Sequence, residues 1–392
     1  MPIYPERWGP LLARYEDTAR PRKMLALDGG GIRGVLTLQI LKRMEELLAA
    51  RTGAGDGFRL CDYFDYIAGT STGCIIAAGL ARGMSAGELI DFYENSGEQM
   101  FEKRWLLARL QSFYSADPLR QQLQKVFGAG TTLEPRHLKC LLLAVTRNAT
   151  TDSPWPISSN PDARYNDPAR PDCNLRIPLW QLVRASTAAP VYFPPEVISL
   201  EKGVQFAFVD GGVTPYNNPA FLLYRMATAP AYRLGWKTGE RNLLLISAGT
   251  GATDEPAARV QPNLAQNLTS LPTTLMYGIQ VDQDISCRTV GRCSHGAFID
   301  RELESLACLE ADGTATPLSR DLGRSFLYAR YNADLSAKGL QALGLGGLDP
   351  EKVRQMDAVD QIPNLIAIGR KAAEEVDLDD WGSFVPRAAA GA

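Results

Sequence analysis

The chain of 392 residues carries 41 Lys and Arg against 44 Asp and Glu; a net charge of −3 without a basic run gives no reason to expect a nucleic acid polymer as partner. With 45% apolar residues it can bury a large core, and its length admits two or three domains. No window approaches the ~18 consecutive apolar residues of a membrane span, and Met1 to Lys23 lacks the apolar centre of a signal peptide, so a cytoplasmic chain is expected.

The first element is an apolar strand, Lys23 to Leu27, followed by the turn Asp28-Gly-Gly-Gly-Ile-Arg-Gly34 and a helix from Val35 to Ala50. Leu41, Met44 and Leu48 share one face of that helix at helical spacing. A glycine-rich turn that opens a helix presents unpaired N–H groups at the positive end of the helix dipole. Such a turn suits a phosphate or an oxyanion, and it can also be only a tight connection. Gly29-x-Gly31-x-x-Gly34 also reads as the dinucleotide fingerprint. Against that, Asp28 would set a carboxylate beside a pyrophosphate, and the next strand ends in no acid for a ribose. That strand lies within Cys61 to Ala68 and runs into Gly69-Thr-Ser-Thr-Gly73, with a helix from Cys74 to Arg82. A serine between two glycines at a strand-to-helix turn has the form of a nucleophile elbow. The alternative is a plain glycine-rich turn.

Met100 to Tyr114 interleaves apolar and aromatic residues with Lys103, Arg104 and Arg109, which suits either a lid at a membrane interface or a buried amphipathic helix. Cys140 to Val145 is a strand, and residues 146–174 form a polar excursion of the length seen in functional loops. Phe206 to Val209 is a strand that ends in Asp210-Gly-Gly212, either a β-turn or an acid desolvated at a strand end and so suited to act as a base. A serine nucleophile needs such a base, and the chain has two histidines, His137 and His295. A Ser71–Asp210–His295 triad remains open beside direct proton transfer from Ser71 to Asp210.

Asp28 to Gly34, Gly69 to Gly73 and Asp210 to Gly212, in this order, resemble the signature of the patatin-like phospholipases. Arg184 to Pro190, Tyr192 to Pro195, Asn217-Asn-Pro219 and Leu243 to Gly251 are similar to further segments of that family. The resemblance covers roughly residues 21 to 251. It implies an α/β protein of three layers, α/β/α, with a mainly parallel central sheet, and acyl-ester hydrolysis of membrane phospholipids that releases fatty acid. It carries the nucleophile to Ser71 and the proton acceptor to Asp210. The oxyanion loop falls on Gly29, Gly30, Gly31, Arg33 and Gly34, with Arg33 holding the loop or meeting a lipid phosphate. No cofactor and no metal are expected, since Cys287, Cys293 and His295 lack a paired-ligand rhythm.

Residues 252–392 are expected to be a largely helical extension, regulatory or oligomerising, with Val281 to Ile285, Phe326 to Tyr331 and Val353 to Val376 read as helices. Arg330-Tyr-Asn332 and Gln355-Met-Asp357 are similar to bacterial patatin-type effectors of antiviral signalling, which degrade membrane when a cyclic nucleotide is sensed. That likeness implies a cyclic dinucleotide activator, a homo-oligomer and a cytoplasmic protein that meets the inner face of the membrane when active. The seven scattered cysteines suit a reducing compartment, where the sequons at Asn148 and Asn267 would be idle.

Overall fold

The computed structural model describes residues 2–101, 118–190, 193–201, 203–253, 278–299, 306 and 324–386. Its strands are β1 (Arg22–Leu27), β2 (Tyr66–Thr70), β3 (Leu141–Asn148), β4 (Ser153–Ser158), β5 (Glu196–Glu201), β6 (Val204–Asp210), β7 (Leu243–Ala248), β8 (Arg292–His295) and β9 (Leu327–Tyr331). They form one sheet in the order β5-β6-β3-β2-β1-β7-β9-β8, with β4 paired to β3. From β3 through β8 the neighbours are parallel, while β4 and β6 join β3, and β5 joins β6, antiparallel. The principal helices are α1 (Gly34–Thr52), α2 (Thr72–Arg82), α3 (Ala86–Phe101), α4 (Pro118–Phe127), α5 (Leu179–Ser186), α6 (Ala220–Thr228), α7 (278–290) and α8 (Ile362–Ala373).

Both faces of the parallel strands are covered, which is why their sequences are almost continuously apolar. Leu25, Leu27, Ile67, Leu142 and Ile246 point into one core shared with α1, α2, α5 and α8. Met24, Ala26, Ala68, Leu143 and Leu245 point into a second, closed by α6, Cys287 of α7 and the N-terminal Trp8, Leu11 and Tyr15. The result is the expected three-layer α/β/α arrangement with a mainly parallel sheet.

Three expectations are corrected by this architecture. Phe326 to Tyr331 is not helical: it carries β9, an interior strand buried on both faces between β7 and β8. A short run without polar alternation has no period by which to tell strand from helix. The boundary at residue 251 therefore does not divide the core, because β8 and β9 complete the sheet begun by β1 to β7. Residues 146–174 are not a free excursion either. They finish β3, turn at Asp152 (φ +55°) and return as β4. Asp162 then accepts the N–H groups of Ile3 (2.7 Å) and Tyr4 (3.0 Å) and the Trp8 indole N–H (3.1 Å), which ties down the N-terminal segment. Asn148 is fully buried in β3, so that sequon is closed in the folded chain.

Met100 is buried in the first core. Lys103, Arg104, Trp105 to Leu107, Arg109, Leu110, Phe113, Tyr114, Tyr192 and Asn267 lie outside the described residues. Among the described residues no helix is long and apolar enough to cross a membrane.

Candidate active site

Ser71 stands between β2 and α2 with φ +55° and ψ −125°, a conformation that costs a non-glycine residue about 1–3 kcal/mol. Its neighbours explain why the turn needs glycine twice. A Cβ on Gly69 would sit 2.1 Å from the Gly73 carbonyl oxygen, and one on Gly73 would sit 2.3 Å from that of Leu27. The strained residue is held by α5: the Ser71 N–H donates to Ser186 Oγ (3.0 Å), and the Ser186 hydroxyl donates to the Val145 carbonyl (2.6 Å). Ser186 belongs to the Arg184 to Pro190 segment, whose residue order gives no sign of this contact. Only the fold brings α5 beneath the elbow.

Asp210 ends β6, and its own N–H donates to the Ala188 carbonyl at 2.9 Å. The Ser71 hydroxyl donates to Asp210 Oδ2 at 2.6 Å, while Oδ1 accepts the Gly212 N–H at 2.7 Å. At 5% exposure the carboxyl is pushed up to about 6 by burial, against the pull of these two hydrogen bonds and of the Arg184 charge. A carboxylate with that affinity for a proton, already bonded to a hydroxyl, is arranged to accept the proton when the oxygen attacks.

The glycine loop stands over the same point. Of its amides, Gly29 donates to the Asn217 carbonyl (3.0 Å), Ile32 to that of Met356 (2.9 Å) and Arg33 to that of Gly30 (3.3 Å). Gly34 donates to the Gly31 and Ile32 carbonyls. Among the described residues the Gly30 and Gly31 amides have no acceptor, and both residues line the cavity that holds Ser71. The expected donor set of Gly29, Gly30, Gly31, Arg33 and Gly34 thus narrows to Gly30 and Gly31. The others are spent within the loop or, for Gly29, on the Asn217 carbonyl. Arg33 donates to the Gly30 (3.3 Å) and Gly251 (3.1 Å) carbonyls, so its side chain braces the loop. Thr250 Oγ1 donates to the Gly29 carbonyl at 2.9 Å.

Beneath the loop, Asp28 is buried against Arg330 of β9, whose Nη2 donates at 2.6 Å and Nη1 at 3.3 Å. Burial pushes the Asp28 carboxyl up, and Arg330 pulls it back down. Arg330 Nη1 also donates to Ser247 Oγ (2.6 Å), and its Nε lies 3.8 Å from Asp284, which binds Arg288 through two contacts of 2.8 Å. The carboxylate that argued against a dinucleotide site is a structural partner of a strand some three hundred residues away.

The cavity around Ser71 measures about 80 Å³ and is walled by Ile75, Leu119, Phe193, Val213 and Met356. Met356 reaches it from the C-terminal segment. A Cβ on Gly31 (φ +61°) would lie 2.2 Å from its carbonyl oxygen. This segment was noticed in the sequence without any sign that it adjoins the glycine loop.

Neither histidine approaches Ser71 or Asp210. His137 precedes β3 and accepts the Thr132 N–H on Nδ1 at 3.0 Å. His295 lies on β8, four strands from β2, stacked on Tyr331 at 4.6 Å and facing Asp380 (3.5 Å) and Glu375 (3.7 Å). The triad alternative through His295 is overturned by that distance across the sheet, about 19 Å at ordinary strand spacing. Among the described residues no group of three or more His, Cys, Asp or Glu is gathered to hold a metal ion.

A family model described as patatin-like phospholipase matches residues 25–224. The chain is 35% identical over 211 residues to the cGAMP-activated phospholipase of Escherichia coli strain TW11681, covering 52% of this chain and 55% of that protein. With the cGAMP-activated phospholipase of Vibrio cholerae serotype O1 it shares 34% over 223 residues, covering 53% and 58%. With Patatin-17 of Solanum cardiophyllum it shares 31% over 248 residues, covering 59% and 61%. The chain therefore spans little more than half the length of these curated relatives.

Proposed function

Because this chain belongs to the patatin-like phospholipase family, we propose that it hydrolyses acyl esters of membrane phospholipids through a Ser71–Asp210 dyad and releases free fatty acid. The observation that carries this reading is the 2.6 Å hydrogen bond from Ser71 to a buried Asp210, beside two amides without acceptors. Ser71 Oγ adds to the ester carbonyl as its proton passes to Asp210. The tetrahedral oxyanion takes the Gly30 and Gly31 N–H groups, each worth about 3–4 kcal/mol in such sites. On collapse the C–O bond to the alcohol breaks, and Asp210 returns its proton to the leaving oxygen. Water then adds to the acyl-serine with Asp210 again as base, freeing the fatty acid and Ser71.

The names of the two bacterial relatives support a further part of the reading, activation by a cyclic dinucleotide. On this proposal the protein works in the cytoplasm, self-associates when the ligand binds, and docks peripherally on the inner face of the membrane. For a hundredfold activation the ligand must favour the open state by about 3 kcal/mol.

The test is fatty-acid release from bacterial phospholipid vesicles, read by lipidomics with and without a panel of cyclic dinucleotides, together with fluorophosphonate labelling read by peptide mass. Expected are a label on Ser71 alone, no release by Ser71→Ala, and release that rises with one member of the panel. Release by Ser71→Ala equal to the unaltered protein would overturn the dyad. Equal release across the panel would overturn the gating.

A further inference from the structure

A second cavity, about 290 Å³, opens at the amino ends of β1 and β7. Arg22 begins β1, and its N–H donates at 2.8 Å to Asn242, the residue before β7. Ser71 and the glycine loop lie at the carboxyl ends of β2 and β1, so the length of a six-residue strand, about 20 Å, separates the two sites.

The lining of this cavity is cationic. Arg20, Arg22, Arg233 and Lys237 contribute to it, against the one carboxylate of Asp162. Both oxygens of Asp162 accept the N–H groups of Ile3, Tyr4 and Trp8, Arg233 meets only its main-chain carbonyl at 3.3 Å, and its single negative charge offsets only part of the four positive ones. Arg20 shares the Asp65 carboxylate with Arg14. Arg22 is the telling residue. It is 4% exposed, it donates to the carbonyls of Arg14, Tyr15 and Asp17, and among the described residues no carboxylate forms an ion pair with it. The charges of Asp65 and Asp17 act on it through space without an ion pair, and four cations against one carboxylate in the lining leave a positive field that suits an anion from outside.

The remaining walls are flat and aromatic. Trp8, Tyr15 and Trp236 line the same cavity, with the Tyr15 and Trp236 rings nearly parallel (11°) at 6.3 Å. The Arg22 guanidinium lies 5.3 Å from the Tyr15 ring centre and 5.6 Å from that of Trp236. A net positive lining beside aromatic faces suits a molecule with a phosphate at one end and a planar ring at the other. The volume is at the small end of ligand pockets, which run about 300–1,000 Å³.

We infer that this cavity binds a nucleoside monophosphate, its phosphate among Arg22, Arg233 and Lys237 and its base among the aromatic residues. This inference does not rest on the hydrolase reading. The cavity is too small for a cyclic dinucleotide, so its occupant differs from the activator proposed above.

The test is isothermal titration with AMP, GMP, UMP and CMP, with inorganic pyrophosphate and anionic phospholipid vesicles as comparison arms. At least one nucleotide should bind, more tightly than pyrophosphate, and more weakly at high salt. In the double variant Arg233→Gln/Lys237→Gln, whose two positions lie on the rim and not in the core, that affinity should fall about tenfold or more. Arg22→Met should lose binding, and unchanged fluorophosphonate labelling of Ser71 in both variants reports that the fold survives. The inference is overturned if no nucleotide binds, if the double variant binds as the parent does, or if pyrophosphate or vesicles bind through these residues and nucleotides do not.

Discussion

At Asp210, the proposed role as proton acceptor and stability oppose each other. Burial raises its proton affinity to about 6 from 3.8, so the folded chain above pH 6 carries the cost of a desolvated charge, about 3 kcal/mol at full ionisation. Below about pH 3 the group is protonated folded or unfolded and the cost is gone. Asp210→Asn should therefore stabilise the protein at pH 8 by about 1–3 kcal/mol in urea unfolding and bring no gain at pH 3, while ester hydrolysis falls about 10²–10⁴-fold. In the unaltered protein kcat/KM should drop on the acid side with a midpoint near 6. His295→Ala should retain most activity, since the ring stacks on Tyr331 far from the nucleophile; a variant as inactive as Ser71→Ala would refute this. The serine and the acid were legible in the sequence because an elbow and a strand-end Asp-Gly-Gly leave marks in residue order. Ser186 was not. Its contact with the Ser71 amide spans 115 positions and depends on where α5 lands.

Residue order marks the glycine loop as a loop but does not say which of its amides stay free. Which amides stay free depends on what packs against them, and Asn217 and Met356 claim two. Met356 also closes the cavity, which at about 80 Å³ holds only a handful of water molecules. On the proposed function, so small a cavity is expected to take a short acyl group more readily than a fatty tail, which would need Met356 or Leu119 to move. In a p-nitrophenyl ester series without membranes or activator, acetyl and butyryl esters should turn over about tenfold or more faster than palmitoyl. Met356→Ala should shift the preference toward longer chains and leave the Ile32–carbonyl contact in place. Equal rates on acetyl and palmitoyl esters in the unaltered protein would contradict this. Gly31→Ala should cost more than Met356→Ala, because its Cβ meets main chain at a positive φ.

The sheet as a whole ties both ends of the sequence to one site. Arg330 comes from β9 and Asp28 from the end of β1, both in the interior. Removing one member of such a buried pair costs about 3–5 kcal/mol, so Arg330→Met should lose that much in urea unfolding. The double change Asp28→Asn/Arg330→Met should recover most of it, and no recovery would mean that the pair is not coupled. Truncation after Gly251 should leave insoluble protein, since it bares the edge of β7 and strands Asp28 without its cation. The parallel order from β1 to β3 was foreseeable from strands alternating with helices. The return of the chain to insert β9 was hidden, because Phe326 to Tyr331 carries no polar alternation and its partner Ser247 lies 83 positions earlier.

That late strand also bears on how the protein is made. Nearly three hundred residues separate Gly34 from Arg330; at about 5–20 residues per second a ribosome needs roughly 15–60 s to bridge them. Through that interval the nascent chain has its serine and no settled loop above it. On the proposed function, a cell would thus synthesise the protein beside its own membrane in a harmless form, with hazard beginning only as translation nears its end. Ribosome-stalled chains that end before residue 327 should take up no more fluorophosphonate than Ser71→Ala, whereas chains released after α8 should label fully.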